Sequence, residues 1–150
     1  MNNKFQIFLQ IARELNKHDV VPTIYGSLGL YRITNQQDEI NDIDIIISNM
    51  NLVDKFIELE KIMSVVGFER DPYYKHEFIK GEERVGFEPE DELKEWSINV
   101  NNLKITEVEG VRFKELSAKD YLKVYNRTLQ RWENKVLSIK GKVSALEKMV

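Results

Sequence analysis

The spacing of apolar residues divides the first half of the chain into helical and extended segments. Apolar residues at intervals of three and four predict an amphipathic helix over residues 4–16. Predominantly apolar runs at 20–25 and 43–47 predict two buried strands. A short helix is predicted between them at 28–33, and a second amphipathic pattern predicts a helix over 52–66.

The second half of the chain carries two hairpin patterns and one long helical pattern. Alternating runs at 73–79 and 84–88 flank a turn that contains glycine, and the runs at 103–108 and 111–116 flank another. Apolar residues with heptad spacing then predict a long C-terminal amphipathic helix over about 118–149.

These elements predict an α+β fold. We expect a single domain over residues 1–150, in which a mixed β-sheet of about five strands packs against helices. The core of the domain spans about 5–116, and the helical segment of about 118–149 follows it. A chain of 150 residues can bury a substantial core but is short for a TIM barrel, which needs about 250 residues.

Two aspartates lie at the start of the second predicted strand. Because strand side chains alternate between faces, Asp42 and Asp44 project from one face and Ile43 from the other. Two carboxylates so close together repel each other unless a positive charge lies between them. Mg²⁺ binds oxygen ligands of this kind while keeping bound water and substrate phosphates, so the pair predicts a metal site.

A Gly-Ser pair follows the first predicted strand. Gly26 permits a tight turn of the backbone, and Ser27 offers a hydroxyl and a backbone N–H at a predicted helix start. Helix starts stabilise anions, so we expect Gly26 and Ser27 to bind nucleotide phosphates beside the aspartate pair.

The order and spacing of these residues resemble a known signature. An apolar strand, Gly26-Ser27, a spacer and Asp42-Ile43-Asp44 resemble the nucleotidyltransferase superfamily of polymerase-beta-like fold, especially its small bacterial antibiotic and minimal nucleotidyltransferases. The resemblance covers roughly residues 5–90. It implies Mg²⁺-dependent transfer of a nucleoside monophosphate from an NTP to a hydroxyl acceptor, with Asp42 and Asp44 as metal ligands.

The resemblance also implies a third catalytic carboxylate and a basic residue on a C-terminal helix. At the expected position of the acid this chain has Gly86, so we predict that Glu88 serves as the base. Glu77 and His76 are further predictions for the base or for contact with the acceptor.

Charge is distributed unevenly along the chain. Residues 1–100 carry a net charge of −8 and residues 101–150 a net charge of +5. From the basic C-terminal segment, Lys123 and Arg127 are predicted to contact nucleotide phosphates. The acidic first hundred residues argue against a nucleic acid partner.

Composition further narrows the classes of protein to which the chain could belong. The chain has no cysteine, which excludes disulfides and thiolate metal sites. It has no apolar run of membrane-spanning length and no signal-peptide pattern at its start, so we expect no membrane partner and a cytoplasmic location.

A second hypothesis is a catalytically degenerate nucleotidyltransferase fold that acts as a binding or regulatory module, either antitoxin-like or dependent on a partner. The uncertain third carboxylate favours it. So does the heptad pattern of the C-terminal helix, which could join a second copy or a partner chain.

Overall fold

The computed structural model describes residues 2–35, 40–49, 54–131 and 136–150, and it describes side chains over 3–35, 40–49, 54–126 and 141–150. Its α-helices are α1 (Asn2–Lys17), α2 (Gly26–Thr34), α3 (Phe56–Val65), α4 (Asp91–Glu95), α5 (Ala118–Arg131) and α6 (Val136–Glu147). A short 3-10 helix spans Val100–Asn102.

Within these ranges, seven strands form one mixed sheet. The strands are β1 (Thr23–Tyr25), β2 (Ile43–Ile47), β3 (Glu69–Arg70), β4 (Glu77–Lys80), β5 (Glu83–Pro89), β6 (Lys104–Val108) and β7 (Val111–Glu115). Their order in the sheet is β3-β4-β5-β2-β1-β7-β6. The pairs β1/β7 and β2/β5 are parallel, and the other neighbouring strands are antiparallel.

The mixed sheet and both predicted hairpins are confirmed, but the prediction of about five strands was too low. β3 has only two residues, which is too short for an alternating pattern to be recognised in the sequence. It exists because its two residues pair with β4.

The alternation of side chains along β2 gives the sheet two apolar layers. Ile43, Ile45 and Ile47 pack into the core beneath α1 and α3. Ile46 joins the second core on the opposite face, which includes Tyr25, Tyr121 and Leu146. Each fully buried side chain of this size stabilises the fold by about 1.5–3 kcal/mol relative to exposure. Asp44 points to this second face, so its layer has to accommodate a carboxylate.

The C-terminal segment differs from the prediction of one long helix. It forms α5 and α6, which pack against each other, and residues 132–135 between them lie outside the described residues. A continuous helix over this segment would extend about 48 Å and carry most of its apolar seam away from the sheet. Folding back instead buries Val143 and Leu146 against the domain.

No helix among the described residues is long and apolar enough to cross a membrane.

The turn before β4 is organised around one buried carboxylate. Asp71 is 4% exposed and accepts hydrogen bonds from the backbone N–H groups of Tyr73 (2.7 Å) and Tyr74 (3.0 Å). Arg84 Nη1 donates to its second oxygen at 2.8 Å, and the Asp71 N–H donates to the Glu77 carbonyl at 2.8 Å. The carboxylate therefore fixes the point at which β4 begins.

We expect Asp71→Asn to lower the melting temperature by several degrees near neutral pH, because an amide cannot replace the anion that these donors stabilise. The hydrogen bond from Tyr73, followed by Arg84 and Tyr74, holds the pKa of Asp71 below its usual range despite burial. This stabilisation is present above the unfolded pKa of about 3.9 and disappears as pH falls through the lower folded pKa.

Thermal unfolding measured across pH tests this prediction. The difference between wild type and variant should narrow in acid, and Glu69→Gln, on exposed β3, serves as the control. Equal stability of the two proteins at neutral pH would contradict the assigned role of Asp71.

Candidate active site

Strand register places four residues in one row across the sheet. Tyr25 on β1 pairs with Asp44 on β2, Asp44 with Gly86 on β5, and Gly86 with Glu77 on β4. Residues in register on adjacent strands present their side chains on the same face, so this row forms one edge of the second face. The first and last carboxylates of the row, Asp44 and Glu77, flank the glycine.

Asp42 and Asp44 differ in their surroundings. Asp42 is exposed just before β2, whereas Asp44 is mostly enclosed. Burial, with the negative charges of Glu88, Asp42 and Glu77, raises the pKa of Asp44 to about 7, and Lys142 opposes this effect. Among the described side chains, the site therefore holds more negative charge than the neighbouring cations balance.

The turn after β1 is in close contact with the Asp44 carboxylate. Gly26 has a φ of +63°, and a Cβ at this position would overlap Asp44 Oδ2. Both the left-handed backbone and the lack of space require glycine here. Helix α2 begins at this turn, and the side chain of Tyr25 at its N-cap does not cap the first turn. The first N–H groups of α2 therefore receive no cap from this side chain, and at a helix start such groups can act as anion donors.

Lys142 on α6 reaches the same turn from the C-terminal segment. Its Nζ donates to Ser27 Oγ at 3.1 Å and lies 5.3 Å from the centre of the Tyr125 ring. The tyrosine belongs to a stack in which Tyr25 and Tyr121 are 6.4 Å apart and Tyr121 and Tyr125 are 6.1 Å apart. The ring stack connects β1 with α5 and supports the lysine beside Ser27.

Two basic residues were predicted to contact phosphate. One lies away from the aspartate row, and the side chain of the other is outside the described residues. Lys123 is exposed and donates to the Ser97 carbonyl at 3.4 Å, beside a separate cavity of about 480 Å³. The side chain of Arg127 lies outside the described residues. Lys142 is not among the residues predicted from the sequence, although its position four residues before the apolar Leu146 indicates the same helix face.

The predicted bases occupy three different positions. Glu88 pairs with Ile46, one strand repeat beyond the row, and burial followed by the charge of Glu77 raises its pKa. Glu77 lies 3.5 Å from Arg84 Nη1 and is 30% exposed. The His76 ring lies tilted against the Phe56 ring, with centroids 5.8 Å apart, on the core side of the sheet and away from Glu77.

The register also places the position predicted for a third acid in this row. Gly86 is the β5 partner of Asp44, so β5 has no side chain at this point.

The donor set suits a hard cation. Asp42 and Asp44 offer carboxylate oxygens, the ligands that Mg²⁺ prefers, and a cation would relieve the repulsion that raises the pKa of Asp44. In the part of the chain that the structure describes, no group of three acidic or histidine side chains is arranged to hold a metal. The fit therefore rests on the aspartate pair, with substrate phosphates completing the ligands.

A larger cavity, of about 660 Å³, lies beyond the opposite end of β2 from Asp44. Its lining includes Asn49, Glu90 and Asn99. It is separate from the aspartate row.

Asp44→Asn should stabilise the protein in the absence of ligands at about pH 8. The folded pKa of about 7 exceeds the unfolded value of about 3.9, so ionisation of Asp44 lowers the free energy of unfolding. This loss grows between about pH 4 and 7. Each pKa unit corresponds to about 1.4 kcal/mol, so we expect a gain on the order of a few kcal/mol.

Denaturant unfolding at about pH 4 and 8 measures this effect, with exposed Glu82→Gln as the charge control. The gain should be confined to the higher pH. A variant less stable than wild type at about pH 8 would contradict an uncompensated charge at Asp44.

Gly26→Ala should destabilise the fold more than Gly81→Ala. Both glycines have left-handed backbones, at +63° and +59°, but a Cβ at Gly81 would meet nothing within 4 Å. The left-handed conformation alone costs about 1–2 kcal/mol for alanine. The additional loss of stability in Gly26→Ala, relative to Gly81→Ala, measures the steric overlap with Asp44.

Chemical denaturation of both variants provides the comparison. In an Asp44→Ala background, the excess cost of Gly26→Ala should shrink, because the overlap with Oδ2 is removed and only the 3.1 Å approach to the Cβ of residue 44 remains. Equal losses of stability in Gly26→Ala and Gly81→Ala would show that the turn is not in close contact with Asp44.

Known proteins resemble this chain in sequence and in fold. No protein-family model matches the sequence. The chain is 33% identical over 148 residues to the uncharacterized protein YnaI of Bacillus subtilis (strain 168), with 95% of each chain covered.

Three solved structures resemble the fold. The antibiotic-resistance factor ANT(2'')-Ia matches in its solution structure (TM-score 0.57, 17% identity) and in its crystal complex with adenylyl-2''-tobramycin (0.58, 16%). These matches cover 97% of this chain and 90% and 88% of the respective chains. An antigenic nucleotidyltransferase-like protein from Paracoccidioides brasiliensis has a TM-score of 0.66 at 11% identity, with 99% and 77% covered. The chain therefore belongs to the same family as YnaI, and it shares its fold with ANT(2'')-Ia and with the nucleotidyltransferase-like protein.

Proposed function

We propose that this protein is a Mg²⁺-dependent nucleotidyltransferase that moves a nucleoside monophosphate from an NTP to a hydroxyl group of a small acceptor. The observation that carries the proposal is the meeting of the Gly26-Ser27 turn, Asp44 and Lys142 at one point. Anion donors and a carboxylate that needs a cation are thus adjacent, as a metal-bound triphosphate requires.

Each group has a separate task in this proposal. The N–H groups at the start of α2, the Ser27 hydroxyl and Lys142 bind the outer phosphates of the NTP. Asp42 and Asp44 hold Mg²⁺, which when bound neutralises phosphate charge and orients the phosphates for in-line attack. The close contact of Gly26 with Asp44 keeps the phosphate turn and the metal ligands in register.

The kind of acceptor follows from charge and from the fold comparison. ANT(2'')-Ia has been solved with adenylyl-2''-tobramycin, in which a nucleoside monophosphate is joined to an aminoglycoside. The acidic character of residues 1–100 would favour a cationic polyhydroxyl acceptor in this chain too. Aminoglycosides are therefore the first acceptors to screen.

Calorimetric titration with each of the four NTPs, with and without Mg²⁺, tests the proposal. Lys142→Met should weaken Mg-NTP binding roughly tenfold or more, because hydrogen bonds to charged groups contribute about 1.5–3 kcal/mol. Lys123→Met is the matched control, since this lysine contacts Ser97 instead. Asp44→Asn should abolish the dependence on Mg²⁺.

Binding that needs Mg²⁺ and Lys142, together with pyrophosphate release when an acceptor is added, would support the enzyme. Failure of the wild-type protein to bind any Mg-NTP would overturn the proposal and leave only the fold. Equal losses in Lys142→Met and Lys123→Met would reject the assigned phosphate site.

A further inference from the structure

The row of residues across the sheet has a gap opposite Asp44. Gly86 carries no side chain, and its backbone is not in the left-handed region that would demand glycine. A Cβ built there would lie 3.5 Å from Asp44 Oδ1 and 3.9 Å from Glu77 Cγ, which are ordinary van der Waals contacts. An acid could therefore occupy this position, yet the chain has none.

From the geometry we propose that Glu77, reaching across the space above Gly86 from the neighbouring strand, is the general base that accepts the proton of the acceptor hydroxyl. The inference rests on the nucleotidyl transfer proposed above. In this assignment, the third carboxylate of the site lies on β4 instead of β5.

Distance and register favour this assignment. Glu77 and Asp44 lie in the same row on either side of Gly86, two strand spacings or about 9.6 Å apart at their Cα atoms. The Glu77 side chain spans part of this separation, since its Cγ approaches the Cβ position of Gly86. Glu77 also influences Asp44 electrostatically, so the two carboxylates share one environment.

Glu88 is less suited to meet an acceptor, although its charge affects Asp44 more strongly than that of Glu77. It lies opposite buried Ile46, one repeat deeper along the sheet. Glu77, with 30% of its side chain exposed, is open to solvent at the start of β4. A base must reach the proton it removes, and an acceptor arrives from solvent.

Arg84 keeps the proposed base in position. Its Nη1 donates to Asp71 at 2.8 Å and lies 3.5 Å from Glu77 Oε1. Since Asp71 is itself fixed by Tyr73 and Tyr74, the guanidinium is held from one side and presents its charge to Glu77. Arg84 is thus a positioning residue.

The step balances without a further reactant. The acceptor O–H bond breaks, and its proton goes to the Glu77 carboxylate. The acceptor oxygen forms a bond to the α-phosphorus. The bond from that phosphorus to its bridging oxygen breaks, and pyrophosphate leaves with the electron pair.

The test compares Glu77→Gln, Glu88→Gln and the double variant Glu77→Gln/Gly86→Asp, with exposed Glu82→Gln as the control. Mg-NTP affinity is measured by calorimetry and stability by thermal unfolding. Pyrophosphate release is measured with water and with tobramycin as acceptors. Glu77→Gln should lower release by roughly 10²- to 10⁴-fold while Mg-NTP affinity stays within about twofold of wild type.

The double variant separates chemistry from structure. Gly86→Asp returns a carboxylate to the row at a position with room for it, so it should recover part of the release lost in Glu77→Gln. A merely structural role of Glu77 would change stability or nucleotide affinity and would not be rescued in this way.

The outcomes distinguish the two proposals. A wild-type protein that binds no Mg-NTP overturns the nucleotidyltransferase proposal and this inference together. Binding without any pyrophosphate release leaves the nucleotide site but overturns the base. Normal release in Glu77→Gln, or a larger loss in Glu88→Gln, overturns the assignment of Glu77 while the proposed reaction stands.

Discussion

The close contact between the Gly26 turn and Asp44 is the constraint on which the rest of the site depends. Side chain and backbone meet here so tightly that even a methyl group at position 26 would overlap the carboxylate. The contact joins the first turn of α2 to the start of β2, and the proposed function assigns these two segments to the same phosphates. It also removes water from Asp44, which contributes to its raised pKa.

An enclosed carboxylate among other carboxylates is unfavourable for the folded protein by itself. Burial and the charges of Glu88, Asp42 and Glu77 raise the pKa of Asp44, and Lys142 opposes them. Such an arrangement persists when the surrounding structure is stable enough to enforce it. Here two apolar layers on either side of the sheet supply that stability. The electrostatic cost is local, and a bound cation and phosphates would compensate it.

The C-terminal helices complete the site rather than merely covering the sheet. Leu146 packs into the core that contains Tyr25, and Lys142, one turn earlier on α6, reaches Ser27 from the same side. The stack of three tyrosines connects β1 to α5 behind this contact. Apolar packing therefore determines where the cation lies.

Local patterns in the sequence were sufficient for the elements that form the site but not for all of its members. The alternation in Asp42-Ile43-Asp44 assigned both aspartates to one face, and the glycine after the first strand marked the turn, because these features depend on neighbouring residues alone. The resemblance of their order and spacing to the nucleotidyltransferase signature implied the fold, and the structure comparisons confirm it. Tertiary structure alone decided that α6 folds back to bring Lys142 to Ser27, 115 positions away in sequence. It alone decided that Glu77 shares a row with Asp44, since this depends on the registers of two strand pairs. Side-chain periodicity specifies the face of an element, whereas long-range pairing and packing specify which faces meet.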